Sequence, residues 1–273
     1  MAKLEMSPQV FTIFSSLIEE RIGLHYGPAE RELLLYKLAD RAAEAGFDSI
    51  LDYYYHLRYD DPSGAEQAAL TDALVVNETF FFRERAALEQ VIAAHIAPLC
   101  GRKAPPRIWC AASSTGEEPL TLAMLLAERG LLDKVELLAT DISQRALVRA
   151  RSGVHARRSL REGYPADLAA KYLQIAEDGI RVAPQISAAV CFQHLNLLDG
   201  AAVQELGLFD LILCRNVLIY FRDARTLEVL KHLTAALQPG GVLVVGVSES
   251  LLRFGTALVC EERSGSFFYR KVR

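Results

Sequence analysis

No apolar run in these 273 residues comes near the ~20 that a membrane-crossing helix needs, and residues 1–9 have no continuous apolar core of the kind that marks an export signal. The chain is expected to stay in the cytoplasm without direct membrane insertion. Cysteine is scarce and poorly spaced. Cys100, Cys110, Cys191, Cys214 and Cys260 are an odd set with no Cys-x-x-Cys pair, which argues against a disulfide framework and against a zinc cluster. No metal is expected. Basic charge is not in excess either: the net charge is −4, which weakens the case for nucleic acid as a partner. What remains, 51% hydrophobic and 23% charged, is a globular chain with room for one large domain or for a domain and a smaller companion.

The stretch Arg107 to Glu128 is informative for a further absence. It lacks the glycine fan and Lys-Ser/Thr of a phosphate loop, and the Gly-x-Gly-x-x-Gly of a dinucleotide fold; its loop holds one glycine, Gly116. Ile108 to Ala112 reads as a strand, Ser113 to Glu117 as a turn, and Leu120, Met124 and Ala127 recur at helical spacing. In a parallel α/β sheet such a strand end is where ligands lie. Two carboxylates, Glu117 and Glu118, stand there. They repel phosphate but suit a ligand with hydroxyls and positive charge, such as S-adenosylmethionine; the plainer reading is an acidic helix start favoured by the helix dipole.

Helical spacing dominates the first 70 residues: Phe11, Phe14, Ile18 and Ile22, then Leu34, Leu35, Leu38 and Ala42, then Ile50, Leu51, Tyr54 and Leu57. A further helix is predicted from about Ala65 to Val75. Residues 1–76 carry 6 Lys and Arg against 13 Asp and Glu, and the remainder 24 against 21. Three consecutive phenylalanines, Phe80 to Phe82, obey no one-sided helical period, which predicts a segment wedged between two packed surfaces. Beyond it, apolar strands alternate with helices: Val135 to Thr140 ending in Asp141, Val190 to Leu195 ending in Asn196, Phe209 to Cys214, and Val242 to Val247 after a turn at Pro239-Gly240-Gly241. This predicts a parallel sheet with an antiparallel end. Six arginines from Arg145 to Arg161 meet no acidic residue; they form a solvated face or a patch for an acidic partner.

Five motifs occur in an order that resembles the chemoreceptor glutamate methyltransferases, the CheR family: Asn77-Glu-Thr-Phe-Phe-Phe-Arg-Glu84, Ser114-Thr-Gly-Glu-Glu-Pro119, Ala139-Thr-Asp-Ile142, Phe209-Asp-Leu-Ile-Leu-Cys-Arg-Asn-Val-Leu-Ile-Tyr-Phe221, and Pro239-Gly-Gly with Ser248-Glu-Ser-Leu251. The resemblance covers nearly the whole chain. It implies an α/β fold: a small all-helical domain over residues 1–76, then over 77–273 a Rossmann-like class I methyltransferase domain with a small antiparallel β insertion at about 170–192. It also implies S-adenosylmethionine as methyl donor, S-adenosylhomocysteine as product, and the cytoplasmic helical stalk of a chemoreceptor as partner of a monomeric enzyme. Carried over by position, it puts Asn77, Thr79 and Arg83 at the cofactor, Glu118 and Asp141 on its polar and ribose groups, Asn196 and Leu197 on the adenine side, Arg215 and Asn216 at the closing strand end, and Tyr220 beside the transferred methyl. Ser113 stands where the family usually has cysteine, and Leu120 where it has an aromatic.

The competing expectations are a non-catalytic adaptor that binds S-adenosylmethionine or its product, and a nucleic-acid base methyltransferase. The second would show Asp/Asn-Pro-Pro-Tyr/Phe where Arg215-Asn216-Val217-Leu218 stands. Family members that grip a receptor tail peptide do so through an extended loop of the β insertion. Here the hairpin from Tyr172 to Val182 has only Glu177-Asp178-Gly179 at its turn, so no tail-peptide binding is expected.

Overall fold

The computed structural model describes residues 6–263 and 266–272. By its internal contacts the chain divides into two compact units, Met1–Val76 with Tyr220–Arg225, and Asn77–Ile219 with Thr226–Arg273.

The first unit is helical: α1 (Pro8–Ile22), α2 (Arg31–Glu44), α3 (Ile50–Tyr55) and α4 (Ala65–Leu74). The Ser7 hydroxyl caps α1 by accepting from Val10 N at 3.2 Å, and Gly23, at φ 79°, ends it in the left-handed turn that glycine adopts without strain. Phe11, Phe14, Ile18 and Ile22 are buried on one face of α1, as are Leu34, Leu38 and Ala42 on α2. A polar hub ties three of these helices. Arg41 donates twice to Glu66, at 2.7 Å each, and the Tyr53 hydroxyl donates to the same carboxylate at 2.6 Å. Tyr220–Arg225 lies inside the range expected for the second domain yet packs with this unit, where Phe221 bridges Leu24 and the Tyr220 carbonyl accepts from His25 N at 3.0 Å.

The second unit is built on a seven-stranded sheet. Its strands are β1 (Arg107–Ala111), β2 (Glu136–Asp141), β6 (Val190–His194), β7 (Phe209–Cys214), β8 (Leu237–Val245), β9 (Leu258–Arg263) and β10 (Ser266–Lys271), in the order β6-β2-β1-β7-β8-β10-β9. The first five are parallel and the last two antiparallel. From β1 the chain winds outward first to β2 and β6, then to β7 and β8. The strand order therefore reverses beside β1, and the cleft outside its carboxyl end is where a doubly wound sheet receives a ligand. Helices α5 (Arg85–Val91), α6 (Glu117–Ala127), α7 (Gln144–Ser152), α8 (Ala166–Tyr172), α9 (Pro184–Ser187), α10 (Gly200–Glu205) and α11 (Asp223–Ala235) supply the connections. Ile108, Trp109, Leu211, Ile212, Leu213 and Leu243 are buried as strands covered on both faces require.

The structure differs from the sequence reading at two places in this unit. Pro239-Gly240-Gly241 does not turn the chain; it lies inside β8, where a shift in register against β7 absorbs it. Gly241 is needed there, since a Cβ would lie 2.9 Å from the Gln238 carbonyl and 3.1 Å from that of Phe209. The small sheet β3-β5-β4 is antiparallel and joins the hairpin β4 (Leu173–Ala176) and β5 (Gly179–Val182) to an upstream strand, β3 (Val154–His155). The range 170–192 leaves that strand out and takes in Val190, which opens β6 of the main sheet. Two residues are too few to show a period of two. Among the described residues no helix is long and apolar enough to cross a membrane.

Candidate cofactor and methyl-transfer site

The loop between β1 and α6 is the centre of the site, and its shape comes from unusual backbone. Ala112, Ser114 and Gly116 have φ of 57°, 51° and 94°. Among the described residues, the other non-glycine positions in the left-handed region are Phe82, Glu84 and Asn216, all in the same unit. Such conformations cost free energy and persist where surrounding contacts enforce them. Here the enforcing group is Asp141 at the carboxyl end of β2. Its Oδ2 accepts from Ser114 N at 2.7 Å and its Oδ1 from Ser143 N at 2.8 Å, while Ser113 N donates to the Thr140 carbonyl at 2.8 Å. Asn77 joins from the other side, where its Oδ1 accepts from the Ser114 hydroxyl at 3.1 Å. Gly116 has no room for a side chain, because a Cβ would meet Ala150 at 2.9 Å and the Phe192 ring at 3.2 Å.

The adjacent Glu117 and Glu118 go to different partners. Glu117 is buried; its Oε1 lies 3.0 Å from His155 Nδ1 and 2.8 Å from the Ser159 hydroxyl, and its Oε2 accepts from Thr115 at 2.6 Å. Burial pushes this carboxyl up, but hydrogen bonds from His155, Thr115 and Ser159 outweigh it and hold the group below its ordinary 4.5. Glu118 instead binds Arg215, whose guanidinium also binds Glu84. Arg215, one residue past β7, is 5% exposed, so the cation is dehydrated between two carboxylates. Burial disfavours its charge and the two carboxylates restore it, leaving Arg215 firmly cationic.

The next turn is held by an anion from further along the chain. The Glu249 carboxylate accepts from the backbone N–H of Asn216 at 2.7 Å, Leu218 at 2.8 Å, Gly246 at 2.8 Å and Ile219 at 3.4 Å.

At the carboxyl edge of the sheet the structure joins Asn77 and Asp141 through Ser114, and separately Glu118 and Arg215 with Glu84, while Asn216 is held by Glu249. Thr79 and Arg83 lie in the segment that leads into α5. The Arg83 guanidinium is 3.4 Å from the Glu78 carbonyl and 4.0 Å from Glu84. The same segment is pinned by Phe81 N to the Ser159 carbonyl at 2.7 Å and Phe82 N to the Thr121 hydroxyl at 3.0 Å. Asn196 and Leu197 follow β6. The Asn196 Oδ1 accepts from Leu198 N at 3.0 Å, and Leu197 is buried with its carbonyl accepting from His232. Tyr220 ends a 3-10 turn and falls among the residues that pack with the helical unit. Sequence reasoning passed over Glu84, Glu249, His155 and Ser159 as single groups. Glu84 and Glu249 lay inside quoted motifs, whereas His155 and Ser159 carried no signal in a stretch read for its arginines.

Residues 77–263 match the CheR methyltransferase, SAM binding domain, and residues 9–75 match the CheR methyltransferase, all-alpha domain. The chain belongs to the CheR methyltransferase family. It is 33% identical over 260 residues to a chemotaxis protein methyltransferase of Vibrio parahaemolyticus, covering 92% of each chain. The chemotaxis protein methyltransferase of Escherichia coli K12 is 33% identical over 258 residues, covering 91% of this chain and 86% of its own. Among solved structures, the rRNA methyltransferase aviRa of Streptomyces viridochromogenes superposes with a TM-score of 0.44 at 13% identity, over 72% of this chain and 86% of that one. The fold is thus a Rossmann-like, SAM-binding methyltransferase domain with an antiparallel insertion, preceded by an all-helical domain, and the family's work is S-adenosylmethionine-dependent methylation in chemotaxis.

The residues present fit that cofactor. The Ser113 hydroxyl, on the shaped loop, is buried and has no hydrogen-bond partner among the described residues. Around the same loop the side chains that could meet a cationic, polyhydroxylated ligand are carboxylates, Asp141 and Glu118.

Proposed function

We propose that this chain transfers a methyl group from S-adenosylmethionine to glutamate side-chain carboxylates on the cytoplasmic helical stalk of a chemoreceptor, giving glutamate methyl esters. The end-to-end match to chemotaxis protein methyltransferases, through both family domains, carries this reading. In it, Asp141 accepts from the ribose hydroxyls and Glu118 takes the ammonium end. Asn77, Thr79 and Arg83 line the polar side, and Asn196 and Leu197 the adenine side. Arg215 sets Glu118 and Glu84 in place, Asn216 closes the strand end, and Tyr220 orients the incoming carboxylate through its hydroxyl.

When bound, the cofactor supplies an electrophilic methyl on a sulfonium. The substrate carboxylate, with an ordinary pKa of about 4.3, is ionised at neutral pH and needs no general base. Its oxygen bonds the methyl carbon as the carbon–sulfur bond breaks, and the electron pair stays on sulfur. Positive and negative charge cancel along this path, so stripping water from both partners and aligning them favours transfer. The chain's task is to position and to exclude water.

Labelled methyl transfer to receptor cytoplasmic segments, followed by release as methanol in mild base, tests the proposal. Label that stays after base treatment would point to a different acceptor atom. The setting proposed is cytoplasmic, with recognition by the stalk alone. The β4–β5 turn supports that, because Ala176 pairs directly with Gly179 and leaves no extended backbone for a tail peptide. Titration with a synthetic tail pentapeptide should accordingly give no heat.

A further inference from the structure

The six arginines between Arg145 and Arg161 are all exposed, but they are not equivalent. Arg151 donates to the Phe192 carbonyl at 2.9 Å, and Arg161 pairs with Glu78 at 2.7 Å and lies 4.0 Å over the Phe80 ring. Arg149, in the last turn of α7, and Arg157 and Arg158, in the following 3-10 turn, have no carboxylate partner among the described residues. Like charges gathered on one surface repel one another, so Arg149, Arg157 and Arg158 gain from an acidic surface that approaches them. In the helical unit two of the three α2 cations are used internally, Lys37 donating to the Leu74 carbonyl and Arg41 to Glu66, while Arg31 is exposed. At the end of this arginine run, Arg161 lines a cleft of about 300 Å³ together with Phe80, Arg85, Tyr164 and Pro165, a foothold for an apolar side chain next to an acidic one.

We propose that Arg149, Arg157, Arg158 and this cleft form a docking face for an acidic helical surface, and that the face reads how many carboxylates that surface still carries. The inference rests on carboxylate methylation as the activity. Each transfer turns a carboxylate into a neutral ester, so the docked partner loses one negative charge per turnover. Unmodified substrate is held more tightly than product, and the same arginines that recruit the partner release it as modification proceeds.

Two synthetic two-stranded coiled coils, identical except for Glu or Gln at their solvent-facing positions, test this with the full chain. Gln serves as the uncharged stand-in for the ester. By fluorescence anisotropy at about 0.05 M salt, the Glu coil should bind roughly tenfold tighter than the Gln coil, and at about 0.5 M salt the difference should fall below about twofold as the charges are screened. Reversing Arg149, Arg157 and Arg158 to Glu should abolish the preference while S-adenosylmethionine affinity, read by calorimetry, stays within about twofold. The milder R157Q/R158Q pair should weaken the preference without introducing new charge. Equal binding of both coils by the wild-type chain, or a preference that survives the reversal, would overturn the inference. Methyl transfer plays no part in this measurement. A chain that distinguishes the coils yet methylates no receptor segment would sink the proposed activity and leave the docking face standing.

Discussion

The two units spend polar groups differently. Among the described residues, the helical unit buries a single polar side chain, Thr71, and its ion hub is only partly covered, with Arg41 20% and Glu66 13% exposed at the side chain. The sheet unit buries Ser113, Glu117, Asp141, His155, Arg215 and Glu249, and it holds every non-glycine residue in the left-handed region. Both units have apolar cores. Dehydrated charge and strained backbone are costly additions to such a core, and they collect where β1, β2, β7 and β8 end together, which is where chemistry needs rigid dipoles.

Truncating the cation of each hub is the harshest way to break this contrast. Arg215→Met should destabilise the sheet unit by about 3–5 kcal/mol, because it leaves Glu84 and Glu118 partly buried without their counter-charge. Arg41→Met should cost the helical unit only about 1 kcal/mol. Trp109, the one tryptophan, lies on β1 and reports the first by fluorescence, and the second is read from the helical circular dichroism lost apart from that fluorescence transition. Equal losses would erase the distinction.

Acid should find the sheet unit through His95, which packs 4.7 Å from Phe268 with its Nε2 buried and unpartnered. Burial, helped by the charges of Arg270 and Arg263, pushes this imidazole down to about 4 from 6.5. The unfolded chain then binds the extra proton first as pH falls, so stability is full above pH 6.5 and drops by about 3 kcal/mol on the way to pH 4. Urea midpoints across that window should slope for the wild type and lose much of that slope in His95→Leu. Glu117, with its carboxyl held low, contributes stability that goes only below about pH 4.5.

A smaller effect is expected at Asp141. Asp141→Ala should weaken S-adenosylmethionine and S-adenosylhomocysteine together by about 1–3 kcal/mol. Calorimetry that finds both affinities unchanged would leave Asp141 only its bonds to Ser114 and Ser143. The mildest expectation is no effect at all: single-turnover transfer should be nearly flat between about pH 6.5 and 8.5, since no base titrates there. A steep alkaline rise would mean that the nucleophile is not a carboxylate.

Periodicity made the core readable. Phe209 to Cys214 and the α1 stripe Phe11, Phe14, Ile18 and Ile22 lie buried as their spacing implied. Asp141 was readable as the polar end of the second strand, and its structural task, accepting from Ser114 N and Ser143 N, became visible only in the fold. Interactions that join residues far apart in the chain leave no local period. Glu117 looks like a surface helix start until His155, 38 residues on, closes over it. The Pro239-Gly240-Gly241 run looks like a turn because part of what requires its glycine, the carbonyls of Phe209 and Asp210, sits on β7. The helical stretch that begins with α5 at Arg85 changes winding at Ile92 and again at Ala97, which apolar spacing alone does not reveal.

Glu249 has a consequence for selectivity. Backbone N–H groups converging at a strand end are the usual receptor for a phosphate. In this protein the receptor after β7 is filled from within, by a carboxylate that arrives from beyond β8. An adenosine polyphosphate shares adenosine with S-adenosylmethionine, but a phosphate seeking these N–H groups would have to displace a covalently tethered carboxylate, a competition that a ligand without phosphates does not face.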